Sequence, residues 1–503
     1  MAVISGLSHS GEEHRVRATW TLSWPLIAGL LIFLCLMNAS GLPLLADPDT
    51  HWHIAVGDWI VANRAVPRVD TFSFTFTGQP WIAKEWLSQL LLTVAFHAGG
   101  WGGVTALAAA AVAITFVILL RLLLRDLKAP VAILFAAAAL VMMEPHFLAR
   151  PHVLAFPVTL IWIAGLVRAV EERRAPHPAL LLAMLAWANM HGGFTLGLLM
   201  AGAFALDALV GGRDAVERKA LFLGWLKFGI ASVLVACVTP YGPESVLVTF
   251  RIFNLGDALS SIAEWKPPNF QTQPMQELIL LVGLYLVLSR GVKLPLVRLL
   301  IVLGLTHLFL RYARNAELLA TFLPLVIAPV LARQFPSLSP EAAAESGNAL
   351  IRRVTALARP AGSGAIAAAL VVALVFAVGM IRFAGITPPA QVVPQAALDY
   401  ARDNGLLKGR VFNSWNYGGP LIHAGIPTFI DGRGELYGGD FIARYSHLTG
   451  ARGTESLENT LDEYKIEWTL LDKDWPANKL LAQYPWWRQA YSDDQVTIFV
   501  RAR

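Results

Sequence analysis

Long apolar runs alternate with short charged stretches through the first three quarters of the chain. Runs of membrane-crossing character lie near 22–45, 103–121, 130–143, 152–168, 178–190, 193–211, 220–238, 275–289, 294–310, 316–333 and 363–384. A span needs about 20 residues, so the shorter runs must borrow from their flanks. The segment 84–98 decides the topology, because it carries Lys84, Glu85, Gln89 and His97 and ends in Gly99-Gly100-Trp101-Gly102-Gly103. Read as an interfacial helix lying flat, with Trp81, Trp86 and Trp101 at headgroup level, it puts the basic loops on the cytoplasmic side. Those loops are Arg121/Arg125/Lys128, Arg168/Arg173/Arg174, Arg213/Arg218/Lys219, Arg290/Lys293/Arg298 and Arg333/Arg352/Arg353/Arg359. Read as a span, it would put nearly all of them outside. The pattern therefore predicts a polytopic α-helical membrane protein of about 11 transmembrane helices plus an interfacial helix, N-terminus in and C-terminus out.

After the last run the pattern changes. Residues 386–503 contain no run long enough to span; helix-like PQAALDYARDNGL leads to strand-like RVFNSW, PTFIDGR, EWTLLD and QVTIFVRA. Such alternation predicts a small C-terminal α/β domain, periplasmic if the cell is bacterial. The division expected is a transmembrane domain over 1–385, with catalytic external loops at 46–83, 144–151 and 239–274, and the α/β domain over 386–503. The Ser-, Pro-, Ala- and Gly-rich 334–362 reads as a cytoplasmic loop.

Composition agrees with a membrane chain: 56% hydrophobic, 15% charged and a mean hydropathy of +0.54 over 503 residues. The net charge of +5 needs no nucleic-acid partner, since basic residues belong in cytoplasmic loops. Cys35 and Cys237 sit in apolar runs, which argues against a disulfide framework or thiolate metal site. Glu12, Glu13, Arg15 and Arg17 precede an apolar run without a small-residue cleavage site, so the first span is expected to be uncleaved.

This topology gathers polar groups on the external face, where ionisable residues at membrane depth are functional candidates. Asp47-Pro48-Asp49-Thr50-His51-Trp52-His53 follows the first run, and if extended it projects residues 47, 49, 51 and 53 to one side. Oxygen ligands with imidazole suit Mg²⁺ or Mn²⁺; a polar loop capping a helix is the plainer alternative. Glu144-Pro145-His146, expected to leave its helix extended, offers a second acid and imidazole, or simply terminates a span. Glu264 lies in Ser261-Ile262-Ala263-Glu264-Trp265. Arg311 and Arg314, with Arg150, suit a phosphate, whose oxygens a guanidinium meets in pairs, or snorkel to headgroups. His191 stands in a tight polar turn beside Asn189. Trp415, Asn416, Tyr417, Asp431 and Arg433 follow strand-like runs, where a rigid sheet often presents a loop to ligand; an Asp431–Arg433 structural salt bridge is equally open.

Taken in order, these motifs resemble the GT-C glycosyltransferases, and in particular the catalytic subunit of oligosaccharyltransferases. The resemblance runs over nearly the whole chain. DPDTHWH is similar to the family's first-loop Asp motif, Glu144-Pro145-His146 to its Asp-x-Asp or Asp-x-His, and Ser261-Ile262-Ala263-Glu264 to its Ser/Thr-Ile/Val-x-Glu. Arg314 resembles its phosphate-binding arginine. Ser414-Trp415-Asn416-Tyr417-Gly418 departs from the Trp-Trp-Asp-Tyr-Gly signature, which leaves the acceptor open between glycan, glycolipid and protein. The resemblance implies transfer of a sugar from a polyprenyl phosphate or pyrophosphate. It implies a divalent metal, Mg²⁺ or Mn²⁺, held by Asp47, Glu144, His146 and Glu264, and activation of the acceptor by Asp47 or Asp49. It implies donor phosphate at Arg314, Arg311 and Arg150, and acceptor contacts from His51, His53, His191 and the C-terminal residues. A metal-free polysaccharide ligase or polymerase, and a transporter or envelope-assembly scaffold, are the other readings.

Overall fold

Where described, the apolar runs are largely helical in the computed structural model, which describes residues 19–38, 43–251, 265–344, 348–452 and 456–502. They fall in Trp24–Asn38, Trp86–Asp126, Ala129–Met143, Pro151–Glu171, Leu181–Met190, Phe194–Val210, Ala215–Ala236, Pro274–Arg290, Leu296–Arg311, Ala316–Gln334 and Ser363–Phe383. Among the described residues, 6 helices are long and apolar enough to cross a membrane, with shorter apolar helices beside them. The chain is a multi-pass membrane protein. Helices apolar all round bury one side in protein and give the other to lipid. Trp162, Trp187, Phe116, Phe204 and Phe322 fill the interior, while Leu182, Leu199, Leu370 and Val375 stay exposed.

Trp86–Asp126 is two helices. It breaks at Gly99 and Gly100, the latter at φ 55°, a conformation glycine adopts without a Cβ penalty. A Cβ on Gly103 would lie 2.1 Å from the Ala95 carbonyl oxygen. Eight residues of straight helix would instead separate them by about 12 Å. The first half therefore folds back at the glycines. It runs beside helix Asp49–Asn63, where Gln89 meets His53, Thr93 donates to the Ile54 carbonyl and His97 pairs with Asp58. Gly57 makes that approach possible, since a Cβ there would meet Thr93 Oγ1 at 2.1 Å.

The C-terminal segment holds a 4-stranded sheet in the order β1-β2-β4-β3, with β1 Val411–Asn413, β2 Trp468–Asp472, β3 Trp487–Ser492 and β4 Val496–Arg501. β1 lies parallel to β2, and β4 runs antiparallel to both β2 and β3. Two expectations change here. PTFIDGR is no strand of this sheet: Thr428 instead bridges Ser73 of the first loop, giving and taking backbone bonds with Phe72 and Phe74. Conversely β3, whose WRQAYS lacks an apolar run, forms an edge of the sheet. One core lies before the border at 385/386, another after it, and a third crosses it. Trp52, Val56, Ile60, Trp81 and Ile82 pack with Phe412, Phe429, Ile430, Leu436 and Tyr437 in one cluster. The apolar residues of the first loop are covered partly by Trp86 and Leu90 of the next helix and partly by the chain's end.

Candidate functional site

Two separate segments bring three charged side chains together. Asp47 Oδ1 accepts the Asp49 backbone N–H at 2.7 Å, and the helix begins at Asp49 directly after Pro48. Arg150 precedes the helix opened by Pro151. Stitching by Ala149 N–H to the Leu44 carbonyl (2.6 Å) and Thr50 Oγ1 to the Ala149 carbonyl (3.1 Å) sets Arg150 beside both aspartates. Its guanidinium reaches Asp47 Oδ2 at 3.1 Å and Asp49 Oδ2 at 2.9 Å. All three side chains keep 11–19% of their surface exposed.

Because the motif turns helical at Asp49, residues two apart diverge by about 200° rather than sharing a side. His51 points to Trp101 and His423, with ring centroids 4.5 and 5.7 Å away. His53 points the other way, to Gln89 Nε2 at 3.3 Å and Glu85 Oε2 at 3.9 Å. Burial, then the neighbouring His423, lowers the His51 pKa to about 3. Burial and the Arg150 charge hold His53 well below its ordinary value.

Glu85 is the hub of the second half. Its carboxylate lies 3.9 Å from His53 Nε2 and 3.8 Å from His191 Nε2, and His152 Nε2 stands 3.8 Å from Glu317 Oε2. Lys84 Nζ donates to Glu435 Oε1 at 2.9 Å. Tyr241 fixes the approach by accepting the Ala83 N–H at 3.0 Å while donating to the Pro67 carbonyl at 2.9 Å. Burial and the Glu435 charge raise Glu85, outweighing Lys84, Arg150 and Arg314. Burial alone would lower Lys84, but Glu435 and Glu85 reverse it and hold the ammonium above its usual value. His191 is held well below its ordinary value by burial and then by His152 and Arg314. Arg314 lies over the Trp265 ring at 4.6 Å and acts on this same cluster. The arrangement offers carboxylates, neutral imidazoles and cations at the ends of membrane helices.

Other predicted residues land elsewhere. Glu144-Pro145-His146 forms a 3-10 turn, not an extended exit; Glu144 is exposed, and the His146 carbonyl faces His152 Nε2 at 3.2 Å. Glu264 lies outside the described residues. Among the described residues, no three His, Cys, Asp or Glu side chains form a group able to hold a metal ion. Asp47 is turned onto Arg150 instead, so the expected ligand set does not assemble from its described members. Arg311 is exposed and donates to Tyr312 Oη at 3.0 Å. Asn416 is exposed and Trp415 half-buried, whereas Tyr417 is buried and donates to Asp472 Oδ1 at 3.1 Å.

Asp431 and Arg433, expected to face an acceptor, are closed inside the protein. Arg433 binds Asp431 at 2.7 Å and Asp70 at 2.6 Å, all three side chains being 0% exposed. Lys84, Glu85, His152, Glu317 and Glu435 were not assigned roles from the sequence. The signal for the first two is a pair of adjacent opposite charges opening the apolar segment 84–98; Glu317 and Glu435 carry no local mark.

No family model and no curated protein matches the chain. Solved structures do. ArnT from Cupriavidus metallidurans bound to undecaprenyl phosphate matches at TM-score 0.50 and 13% identity, over 94% of this chain and 97% of that one. Its apo state matches at TM-score 0.52 and 13% identity, over 94% and 96%. The apo Archaeoglobus fulgidus oligosaccharyltransferase matches at TM-score 0.51 and 14% identity, over 89% of this chain and 69% of that one. Both proteins are GT-C glycosyltransferases, and the chain shares their fold.

Proposed function

We propose that this chain is a membrane glycosyltransferase that moves a sugar or oligosaccharide from a polyprenyl phosphate or pyrophosphate to an acceptor on the external face. The observation that carries the reading is the pair Asp47 and Asp49, held by Arg150 beside Lys84 and Arg314 at the rim of a membrane helix bundle. The fold likeness to a protein solved with undecaprenyl phosphate supports a lipid-linked donor. Under this reading about 11 helices span a bacterial inner membrane and the C-terminal segment is periplasmic.

The donor enters from the bilayer with its phosphate toward Arg314, Arg150 and Lys84, whose charges oppose the negative charge growing on the leaving oxygen. An acceptor hydroxyl attacks the anomeric carbon. Its C–O bond forms as the bond to phosphate breaks, the lipid phosphate leaves with the electron pair, and Asp49 or Asp47 takes the hydroxyl proton. Glycan, glycolipid and protein acceptors all supply such a nucleophile or its amide counterpart. A divalent metal at Asp47 and Glu264, Mg²⁺ or Mn²⁺, belongs to the proposal as a binding test, and no step above is routed through it. The Arg150 pairing of both aspartates favours, as a second reading, a metal-free ligase or polymerase acting on the same class of donor.

Purified protein in detergent, given a polyprenyl-linked sugar and a panel of acceptors, tests this. Transfer by wild type, with a loss of about 100-fold or more in Asp49→Asn and Asp47→Asn, is expected. Turnover unaffected by both substitutions in folded protein would refute the site. Loss of activity and of Mn²⁺ binding with chelator separates the metal-dependent from the metal-free form. Absence of transfer from any lipid-linked donor points to the transporter or scaffold reading.

A further inference from the structure

The C-terminal turn Asp431–Glu435 touches the two halves of the candidate site at once. An ideal Cβ on Gly432 would stand 1.9 Å from Asp49 Oδ1, 2.6 Å from Cγ and 2.9 Å from Oδ2. A side chain at this position would therefore have to displace the Asp49 carboxylate. Gly432 is not among the glycines with positive φ, unlike Gly425 and Gly438, so close approach and not backbone torsion is what requires glycine here. Three residues on, Glu435 reaches Lys84 Nζ at 2.9 Å. A second approach supports the first: a Cβ on Gly419 would lie 2.1 Å from the Pro48 carbonyl oxygen, one residue before Asp49.

The turn is rigidly backed. Asp431 receives Arg433 Nε and NH2, each at 2.7 Å, along with Tyr437 Oη at 2.6 Å and Thr428 Oγ1 at 3.1 Å. Arg433 NH1 continues to Asp70 Oδ1 at 2.6 Å, and Asp70 binds the Phe72 and Ser73 backbone N–H groups. The guanidinium is enclosed by the Trp81 and Phe72 rings at 4.8 and 5.3 Å. Asp431, Arg433, Asp70, Thr428 and Tyr437 are all buried, so the turn has little freedom to yield when its neighbour moves.

We infer that the Asp431–Glu435 turn is a positioning element of the site, with Gly432 pressing the Asp49 carboxylate into its place on Arg150. This rests on the transferase reading for its consequence, but the contact can be tested without it. The Asp49 carboxylate is what a bulkier turn meets first, and it would have to leave its place on Arg150. A base displaced by even an ångström loses much of its effect while ground-state donor binding at the cations is retained.

The test is a double-mutant cycle on full-length protein in detergent, with Gly432→Ala and Asp49→Ala. The Tm loss caused by Gly432→Ala in wild type should vanish in the Asp49→Ala background, since the atoms it meets are gone. Equal Tm loss in both backgrounds overturns the contact. If Gly432→Ala alone does not fold, recovery of folded protein in the double variant supports the inference, and failure of both variants overturns it. With transfer measured, Gly432→Ala should lower kcat about tenfold or more while donor KM stays within about twofold, a split that general loosening does not produce. Wild-type kcat in folded Gly432→Ala overturns the positioning role. Lack of transfer in wild type itself counts against the transferase reading, leaving the Tm cycle to decide the contact.

Discussion

Arg150 and Arg433 each bridge two aspartates, yet they do different things. Arg433 lies between Asp70 and Asp431 with all three side chains 0% exposed. Arg150 lies between Asp47 and Asp49 with 19, 11 and 15% of their side chains exposed. Around Arg433 the carboxylates also accept from Thr428, Tyr437, the Ser73 hydroxyl and backbone N–H groups, and two aromatic rings cover the cation. Nothing can be added there. Around Arg150 the same chemistry faces a cluster of Glu85, His53, His191 and Lys84. Both arginines tie distant segments together, but only Arg150 and its aspartates keep some exposed surface. Residue type is alike in both, and burial tells them apart.

The sharpest break of this comparison is Arg433→Ala. It strands two carboxylates in the interior, and losing one partner of a buried ion pair costs about 3–5 kcal/mol. Thermal unfolding in detergent should show a large fall in Tm or little folded protein. Arg150→Gln should reverse the balance: a smaller fall in Tm than Arg433→Ala, since its carboxylates keep some contact with water, but transfer down about 100-fold. A variant that unfolds at Arg150, or stays stable at Arg433, would erase the distinction.

A smaller effect comes from pH. His51 has a folded pKa of about 3 against 6.5 when unfolded, so between these values the unfolded chain binds the proton first. Stability therefore falls as pH drops below 6.5, by about 1.4 kcal/mol per unit from this group at most. His53 and His191 are lowered too and act in the same direction. Thermal unfolding at pH 7 and pH 5 should show the loss, and His51→Phe should flatten part of it. An unchanged slope would mean that the wall formed by His51, Trp101 and His423 is wet.

Much of the bundle was legible because a membrane span writes itself as a continuous apolar run, and each run became a helix. The glycine-rich stretch after 84–98 likewise signalled a break, and Gly100 at φ 55° provides it. The candidate site was legible only in part. Asp47, Asp49, Arg150, His53, His191 and Arg314 stand out in the sequence and lie in one cluster, whereas Arg311 and Glu144 are exposed. The sequence read Asp431 and Arg433 as equally able to meet ligand or each other, because a strand-to-loop position looks the same in either case. Glu317 and Glu435 carried no mark at all.

What the sequence by itself determined is the class of solvent each segment meets: apolar runs must leave water, and paired charges near their ends must find partners. Which partner each charge finds was decided by the tertiary structure. Asp49 meets Arg150 about a hundred positions away, and Lys84 meets Glu435 at 351. Such pairings depend on where helices end in space, set by packing along their whole length. They depend also on a shared core in which the last segment of the chain covers the first loop. Local pattern holds no record of either.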